Sequence, residues 1–293
     1  MYTIKYMKLR LPKWTAPLLL LVTGGLFAWY WQHHPEVGST LSQANPGGLA
    51  VIGVLFLASI GCIAWAYWIL LKICDLHIQP AENMALTSYS TIANFFGPGQ
   101  SGPGVRAVYL KQKHGLKLRT YTFATLLYYA VYAVLSGLLL LASSGQYWPL
   151  AILGFFGVIG VVWLVLRAAQ KKWPQARLHV TPRLLTMLTL AVAAQLACYV
   201  LIYFVELQMV QAGANLRQVV AYAAAANFSL FVSLTPGGIG IREAFLAFST
   251  KLHGIGLTSI VAANVIDRAV YVVVLGLLFA VLSGLHVKRR FTL

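Results

Sequence analysis

Long apolar runs separated by short polar segments dominate the chain. Six of these runs approach or exceed the roughly 20 residues that a helix needs to cross a hydrocarbon core of about 30 Å. They lie at Pro17–Trp31, Leu49–Leu71, Tyr121–Ala142, Trp148–Ala168, Leu184–Val210 and Leu257–Leu282. The pattern predicts an all-α integral membrane protein with six full transmembrane helices.

Two further apolar segments, Met84–Phe96 and Val219–Leu234, are too short or too polar to be simple crossings. Each runs directly into a Gly/Pro-rich break, PGQSGPGVR at Pro98–Arg106 and TPGGIGIR at Thr235–Arg242. Non-helical backbone at membrane depth is tolerated only where it is buried in protein or lines a wet cavity. We therefore expect two re-entrant helical hairpins. They span about residues 84–117 and 219–253.

An ordered series of short matches links the two halves of the chain. Each half contains Ala-Asn-Phe, a Gly/Pro break ending in Arg, His-Gly, Ala-Val-Tyr and Ser-Gly. The matches begin at Ala93 and Ala226, Arg106 and Arg242, His114 and His253, Ala130 and Ala269, and Ser144 and Ser283. Such a series predicts an internal repeat. Because each half has an odd number of full crossings, the second is inverted relative to the first, as in many transporters.

Basic residues are concentrated on one side of this topology. The chain has 22 Lys and Arg against 6 Asp and Glu, a net charge of +16. Lys and Arg mark cytoplasmic loops, so both termini are expected in the cytoplasm, with the protein multi-pass in the bacterial inner membrane. The basic clusters lack the stackable aromatic residues of a nucleic-acid groove, and they favour anionic lipid headgroups. The expected division is a basic N-terminus at 1–13, repeats at 14–145 and 148–284, and a basic tail at 285–293.

Arg106 and Arg242 are candidate phosphate-binding residues because each follows a break, in the expected first turn of a helix. A helix N-terminus offers unpaired N–H groups, and a guanidinium holds two phosphate oxygens at once. The other candidate substrate contacts are Asn94, Asn227, Gly102, Gly104, Gly238, Gly240, Tyr128 and Tyr129. The alternative for the asparagines is capping or cross-linking of the broken helices, and for the tyrosines it is packing with a partner for the hydroxyl.

Glu243, Asp267 and Arg268 lie in otherwise apolar sequence, where ionisable residues are costly and commonly functional. We expect them to gate the site or relay charge. The alternative is structural pairing of Asp267 with Arg242 and of Glu243 with Arg268.

Arg106 has no acidic residue near it in the sequence, so substrate contact is favoured over snorkelling to the cytoplasmic interface. Glu206 is expected to be solvated at the outer end of its span. No nucleophile elbow, zinc motif or P-loop lysine is present, and His33-His34-Pro35-Glu36 lacks a third ligand cluster, so neither a metal nor a cofactor is expected. The three cysteines are expected to be inert packing residues.

The Asn before each break, the Pro/Gly loops and PGGIGIREA at Pro236–Ala244 resemble the lysylphosphatidylglycerol synthase transmembrane region, also described as flippase-like. The resemblance covers nearly the whole chain and implies lipid handling. In full-length synthases this region is similar to a translocator of aminoacylated phospholipid, and other relatives are tied to polyprenyl-phosphate sugar, hopanoid or glycolipid pathways. Pro103 stands where the family usually has an acidic residue, and Tyr128-Tyr129 stand where it often has an acidic–Arg pair, which favours an anionic headgroup.

The sequence therefore predicts a flippase or translocase for an anionic phospholipid or a polyprenyl-phosphate-linked lipid, with a lipid-synthesis enzyme as a candidate partner. Two alternatives stay open at this point. One is an integral-membrane transferase that acts on a lipid phosphate. The other is a non-transporting member of a lipid-synthesis complex.

Overall fold

The computed structural model describes residues 44–97, 101–143, 178–210, 214–232 and 241–291, together with four isolated positions. Within these ranges the chain is helical and contains no strand. The helices are α1 (Pro46–Ile73), α2 (Pro80–Phe96), α3 (Ser101–His114), α4 (Leu118–Ser143), α5 (Pro182–Val210), α6 (Leu216–Val232), α7 (Ile241–Phe248), α8 (Thr250–His253) and α9 (Leu257–Phe291). The all-α class predicted from the sequence is confirmed for this part of the chain.

Four of the helices are long and apolar enough to cross a membrane. They are α1, α4, α5 and the Leu257–Gly284 part of α9. They correspond to four of the six predicted spans, and the protein is a multi-pass membrane protein. The other two predicted spans, Pro17–Trp31 and Trp148–Ala168, lie outside the described residues.

The helices α1 and α5 begin with the same kind of local signal. Pro46 opens α1, and the Asn45 side chain accepts a hydrogen bond from the first turn at 2.9 Å. Pro182 opens α5, and Thr181 Oγ1 accepts one from the first turn at 3.2 Å. Proline suits the first helical position, and Asn or Thr side chains satisfy amides that have no partner within the helix. Local sequence therefore sets where both spans start.

The helices α1 and α5 pack antiparallel along each other. At one end the His179 amide donates to the last carbonyl of α1 at 2.8 Å, and at the other end Gly48 lies against Met209. Near the middle, the thiols of Cys62 and Cys198 are neighbours across the two helices. One apolar core joins this pair to α4, and a second joins it to α6 and α9.

The helices α2 and α3 form an antiparallel hairpin, and at 17 and 14 residues each is shorter than a membrane crossing. Gly102 of α3 touches the Ser90 carbonyl of α2 so closely that a Cβ atom would clash with it. The Ser101 hydroxyl donates to the Ala93 carbonyl at 2.5 Å. These contacts hold the two helices together beside the break, whose residues 98–100 lie outside the described ranges.

At the end of this hairpin opposite the break, polar side chains around Glu82 hold the two helices together. The Tyr109 hydroxyl donates to Glu82 Oε1 at 2.8 Å, and His114 Nε2 and Lys113 Nζ lie 2.7 and 3.1 Å from the same oxygen. Partial burial alone would raise the pKa of Glu82, but the hydrogen bonds from His114, Tyr109 and Lys113, together with the Lys113 charge, hold it at about 2. The first turn of α2 is therefore tied to the last turn of α3.

A second set of short helices follows α5. The helix α6 has 17 residues, and α7 and α8, with 8 and 4 residues, pack against it. The break that precedes α7, residues 233–240, lies outside the described ranges. The helix α6 also packs on α4, and α2 packs on α9. The short helix α6 therefore contacts the long helix that follows α3, and α2 contacts the long helix that follows α8.

Several helix starts lie at nearly constant spacings along the chain. The starts of α1 and α5, at Pro46 and Pro182, are 136 residues apart, as are the starts of α2 and α6 at Pro80 and Leu216. The starts of α4 and α9, at Leu118 and Leu257, are 139 apart, and so are Gly115 and Gly254, which both have φ near 68°. Each of these glycines adopts a left-handed turn that other residues rarely enter.

Candidate functional site

Arg242 of α7 is the centre of a buried polar cluster. Its Nη1 donates to Asp267 Oδ2 of α9 at 2.8 Å, and both residues are almost completely buried. Its Cζ lies 5.1 Å from the centroid of the Tyr203 ring of α5, a cation–π contact. Its Nε and Nη2 have no hydrogen-bond partner among the described residues. Arg242 therefore keeps unused donors although its charge is paired.

Arg268 and Glu243 form the more accessible edge of this cluster. Arg268 Nη2 lies 3.9 Å from Glu243 Oε1, and the two side chains are 14% and 25% exposed. The Arg268 Cζ also lies 5.8 Å from the Phe95 ring of α2. Its Nε and Nη2 make no hydrogen bond within the described part of the chain. The pairings of Arg242 with Asp267 and of Arg268 with Glu243, expected as the structural alternative, are both present.

Glu206 belongs to the same cluster, and the expectation that it is solvated at the membrane interface is wrong. The residue is 0% exposed, and neither carboxyl oxygen has a hydrogen-bond partner among the residues that the structure describes. Asp267 and Arg242 are its strongest charged neighbours. The sequence placed Glu206 near the end of an apolar run, but burial is decided by the helices that surround α5.

Helical periodicity places these polar groups on facing stripes. Asn264, Asp267 and Tyr271 follow one another at intervals of three and four on α9, so they share a face. Tyr203 and Glu206 share a face of α5 for the same reason. A polar stripe on an apolar helix is a signal of a buried site, and it could have revealed Glu206 from the sequence.

Arg106 lies in a separate site within the α2–α3 hairpin. It is 0% exposed, which contradicts the snorkelling alternative. Its Nη1 donates to the Thr87 hydroxyl at 3.1 Å, its Nη2 donates to Asn83 Oδ1, and its Cζ lies 4.4 Å from the Tyr67 ring centroid. The chain is already helical at Ser101, so Arg106 lies beyond the first turn in which it was expected. In the described residues these contacts are all with neutral groups, and Nε makes no hydrogen bond.

The predicted asparagines differ in their surroundings. Asn227 is fully buried in α6 and accepts a hydrogen bond from the Tyr132 hydroxyl of α4 at 2.8 Å, while its Nδ2 has no described partner. Asn94 is exposed. Because α2 and α6 start 136 residues apart, Asn94 is the fifteenth residue of its helix and Asn227 the twelfth. The matching Ala-Asn-Phe triplets are therefore nearly one helical turn out of register.

The predicted tyrosines belong to a series of aromatic contacts that runs from the Arg106 site to Asn227. The ring centroid of Tyr128 lies 5.8 Å from that of Tyr67, which faces Arg106, and 6.1 Å from that of Tyr132, which bonds to Asn227. The Tyr128 hydroxyl also donates to the Gln195 side chain of α5 at 2.8 Å. Tyr129 is half-buried and lies with its ring centroid 5.3 Å from that of Tyr128.

The candidate glycines divide by environment. Gly102 is packed against α2, whereas Gly104 faces open space with nothing within 4 Å of an added Cβ. Gly238 and Gly240 lie outside the described residues, as do His33, His34 and Glu36. The structure thus brings together Arg242, Glu243, Asp267 and Arg268 around Glu206, and it holds Arg106 apart from them.

Chemically, the cluster offers guanidinium N–H donors in the interior of the protein. Three of the protein's six acidic residues, Glu206, Glu243 and Asp267, lie beside two arginines. A buried guanidinium with unused donors favours an anionic oxygen ligand, because leaving a charged donor unsatisfied is costly. Among the described residues no group of three metal-ligating side chains is present.

Comparison with known proteins identifies the family. A family model for the lysylphosphatidylglycerol synthase TM region matches residues 16–278. The chain belongs to this family. Membership agrees with the resemblance seen in PGGIGIREA and with the apolar helices, and it ties the protein to membrane proteins of lipid metabolism or transport. No curated protein matches the chain.

Proposed function

We propose that this protein moves a lipid with an anionic phosphate headgroup between the leaflets of the bacterial inner membrane. The observation that carries the proposal is the pair of arginines, Arg242 and Arg268, whose buried N–H donors have no described protein partner. A phosphate supplies several acceptor oxygens and matches a guanidinium geometrically. A family whose name refers to a phospholipid synthase gives the same substrate class.

Two inverted halves would provide the transport pathway, and equivalent contacts support them. Arg106 faces Tyr67 across the first half, and Arg242 faces Tyr203 across the second. The two arginines are 136 residues apart, and so are the two tyrosines. The halves correspond to residues 14–145 and 148–284, and the same contact made twice at one spacing is what a repeat requires.

Cys62 and Cys198 support a symmetry axis at the centre of the protein. They too are 136 residues apart, and their thiols are neighbours. Equivalent positions of two halves meet only at the axis that relates them. Because α1 and α5 are antiparallel, this axis would lie in the membrane plane, as in transporters with inverted repeats.

Re-entrant hairpins at about 84–117 and 219–253 are supported by contacts near the middle of the spans. Asn227 bonds to Tyr132, the fifteenth residue of α4, and Phe95 packs on Tyr271, the fifteenth residue of α9, at 5.3 Å. In contrast, the polar side chains around Glu82 close the base of the first hairpin. Each pair of short helices would therefore enter and leave on one face, with both termini of the chain in the cytoplasm.

The headgroup would first meet the accessible edge formed by Arg268 and Glu243 and then use the free donors of Arg242. Separation of Arg242 from Asp267 would gate the site. In the opposite state, Arg106 would exchange its neutral partners for phosphate. The asparagines, glycines and tyrosines named above would line the lipid pathway. Arg106 would be the second phosphate site.

Proteoliposomes with a fluorescent phosphatidylglycerol test this proposal, with leaflet exposure read by chemical quenching. Arg242→Met and Arg106→Met should each slow lipid movement at least about tenfold, since one charge-assisted hydrogen bond contributes about 1.5–3 kcal/mol. Arg119→Met is the matched control because Arg119 is exposed at the start of α4. It should move lipid at the wild-type rate.

Three results would count against the proposal. Unchanged rates in both Arg106→Met and Arg242→Met would remove the site assignment. No movement of phosphatidylglycerol or of a polyprenyl phosphate by the wild-type protein would remove the function. Recovery of a chemically altered lipid would favour the transferase alternative.

A further inference from the structure

Glu206 has no part in the lipid pathway proposed above, yet it is the most completely enclosed carboxyl group of the cluster. It is 0% exposed, and both oxygens lack a hydrogen-bond partner among the described residues. Transfer of an ionised carboxylate into such a setting is very costly, and a proton removes the charge. Glu206 is therefore suited to hold a proton.

The groups that face Glu206 strengthen this argument. From α9 it faces Asp267 and Arg268, and from α7 it faces Arg242. Tyr222 of α6 and Tyr203 of α5 also lie within electrostatic reach. The helices α1 and α4 pack on α5 as well, but their charged residues, Lys72 and Arg119, lie at the helix ends.

Two carboxyl groups thus lie beside Arg242, and they differ in how they use it. Asp267 already accepts from Arg242 Nη1 at 2.8 Å, whereas Glu206 accepts no hydrogen bond from any residue that the structure describes. Two neighbouring carboxyl groups in a dry site do not both ionise readily, and their protons belong to the pair. We propose that Glu206 and Asp267 share one proton beside Arg242 and form a proton-binding site that is linked to binding of the anionic headgroup.

The linkage follows from charge balance, and it rests on the proposed lipid function. When the pair takes up a proton from water, one negative charge beside Arg242 disappears, and the free Nε and Nη2 donors become more attractive to phosphate. By thermodynamic reciprocity, a bound phosphate then holds the proton more tightly. Return of the proton to water would release the headgroup, so a proton gradient could drive lipid movement.

Infrared titration of the purified protein tests the proton site without any lipid. A protonated carboxyl group has a carbonyl band that is separate from carboxylate bands. We expect this band at neutral pH, a shift when glutamate carries ¹³C, and its loss in Glu206→Gln. Glu82→Gln is the matched control and should keep the band, because Glu82 is ionised at neutral pH. The labelling in wild-type protein shows whether a glutamate holds a proton even if Glu206→Gln does not fold.

Absence of a glutamate-derived band at every pH between 5 and 9 would overturn the proton site. So would a band that persists unchanged in folded Glu206→Gln.

Proteoliposomes then test the linkage to the headgroup. The apparent affinity for phosphatidylglycerol should rise as pH falls, by up to about tenfold per pH unit for one linked proton. In Glu206→Gln this dependence should disappear. An affinity with the same pH dependence in both proteins would overturn the linkage while lipid movement itself stands. A glutamate band without any lipid movement would support the proton site and reject the transport function.

Discussion

The ion pair between Arg242 and Asp267 provides a prediction that separates folding from function. Arg242→Met leaves Asp267 buried without its partner at 2.8 Å, and Asp267→Leu does the same to Arg242. Breaking a buried pair in this way costs about 3–5 kcal/mol. Replacing both members by apolar residues is often neutral, so Arg242→Met/Asp267→Leu should recover at least half of the lost stability. Lipid movement should be lost in Arg242→Met and in the double variant, because both lack the phosphate donors of Arg242, whereas Asp267→Leu keeps them.

The assay compares apparent melting temperatures in one detergent at one scan rate. At about 2–4 °C per kcal/mol, each single variant should melt roughly 6–20 °C below wild type. Arg119→Met controls for loss of an exposed arginine and should change the melting temperature by less than about 2 °C. Loss of less than about 1 kcal/mol in Arg242→Met would refute the buried ion pair. Lipid movement in the double variant at the wild-type rate would show that the pair is purely structural.

Three further predictions test the hairpin and the axis. Because the pKa of Glu82 is held at about 2, its contribution to stability should be fully present above about pH 4.5 and lost towards pH 2. The difference in free energy of unfolding between wild type and Glu82→Gln, about 2 kcal/mol, should therefore shrink over that range, as thermal unfolding would show. Gly102→Ala should destabilise by about 1–3 kcal/mol through its clash with the α2 backbone, whereas Gly104→Ala should be neutral or stabilising in the same thermal assay. Mild oxidation should link Cys62 to Cys198, as mass spectrometry of the linked peptides would show. Lipid movement should continue in the linked protein, because two inverted halves that exchange conformations keep the same separation between equivalent residues. Arrest of lipid movement would contradict rocking about this axis.

The membrane class and four spans could be predicted from the sequence because crossing a bilayer is a requirement on length and apolar composition. The starts of α1 and α5 could also be predicted, because Pro46 with Asn45 and Pro182 with Thr181 provide the helix caps within a few residues. The pairing of Arg242 with Asp267 was one of two alternatives. Sequence spacing could suggest it but could not place two helices side by side.

The surroundings of single residues could not be predicted in the same way. Arg106 is satisfied by Asn83 and Thr87, 23 and 19 residues earlier, because α3 folds back on α2. Asn94 and Asn227 have the same neighbours in sequence, yet one is exposed and the other buried, since their positions within α2 and α6 differ by three residues.

By itself, the sequence determined that this protein is helical, lies in a membrane and belongs with proteins of lipid metabolism or transport. These properties depend on composition, on local capping and on motifs that can be read along the chain. Only the tertiary structure decided that Glu206 joins Arg242 and Asp267, and that Cys62 meets Cys198. Burial and pairing depend on which helix faces meet, and local sequence does not decide that for residues 36 to 136 positions apart.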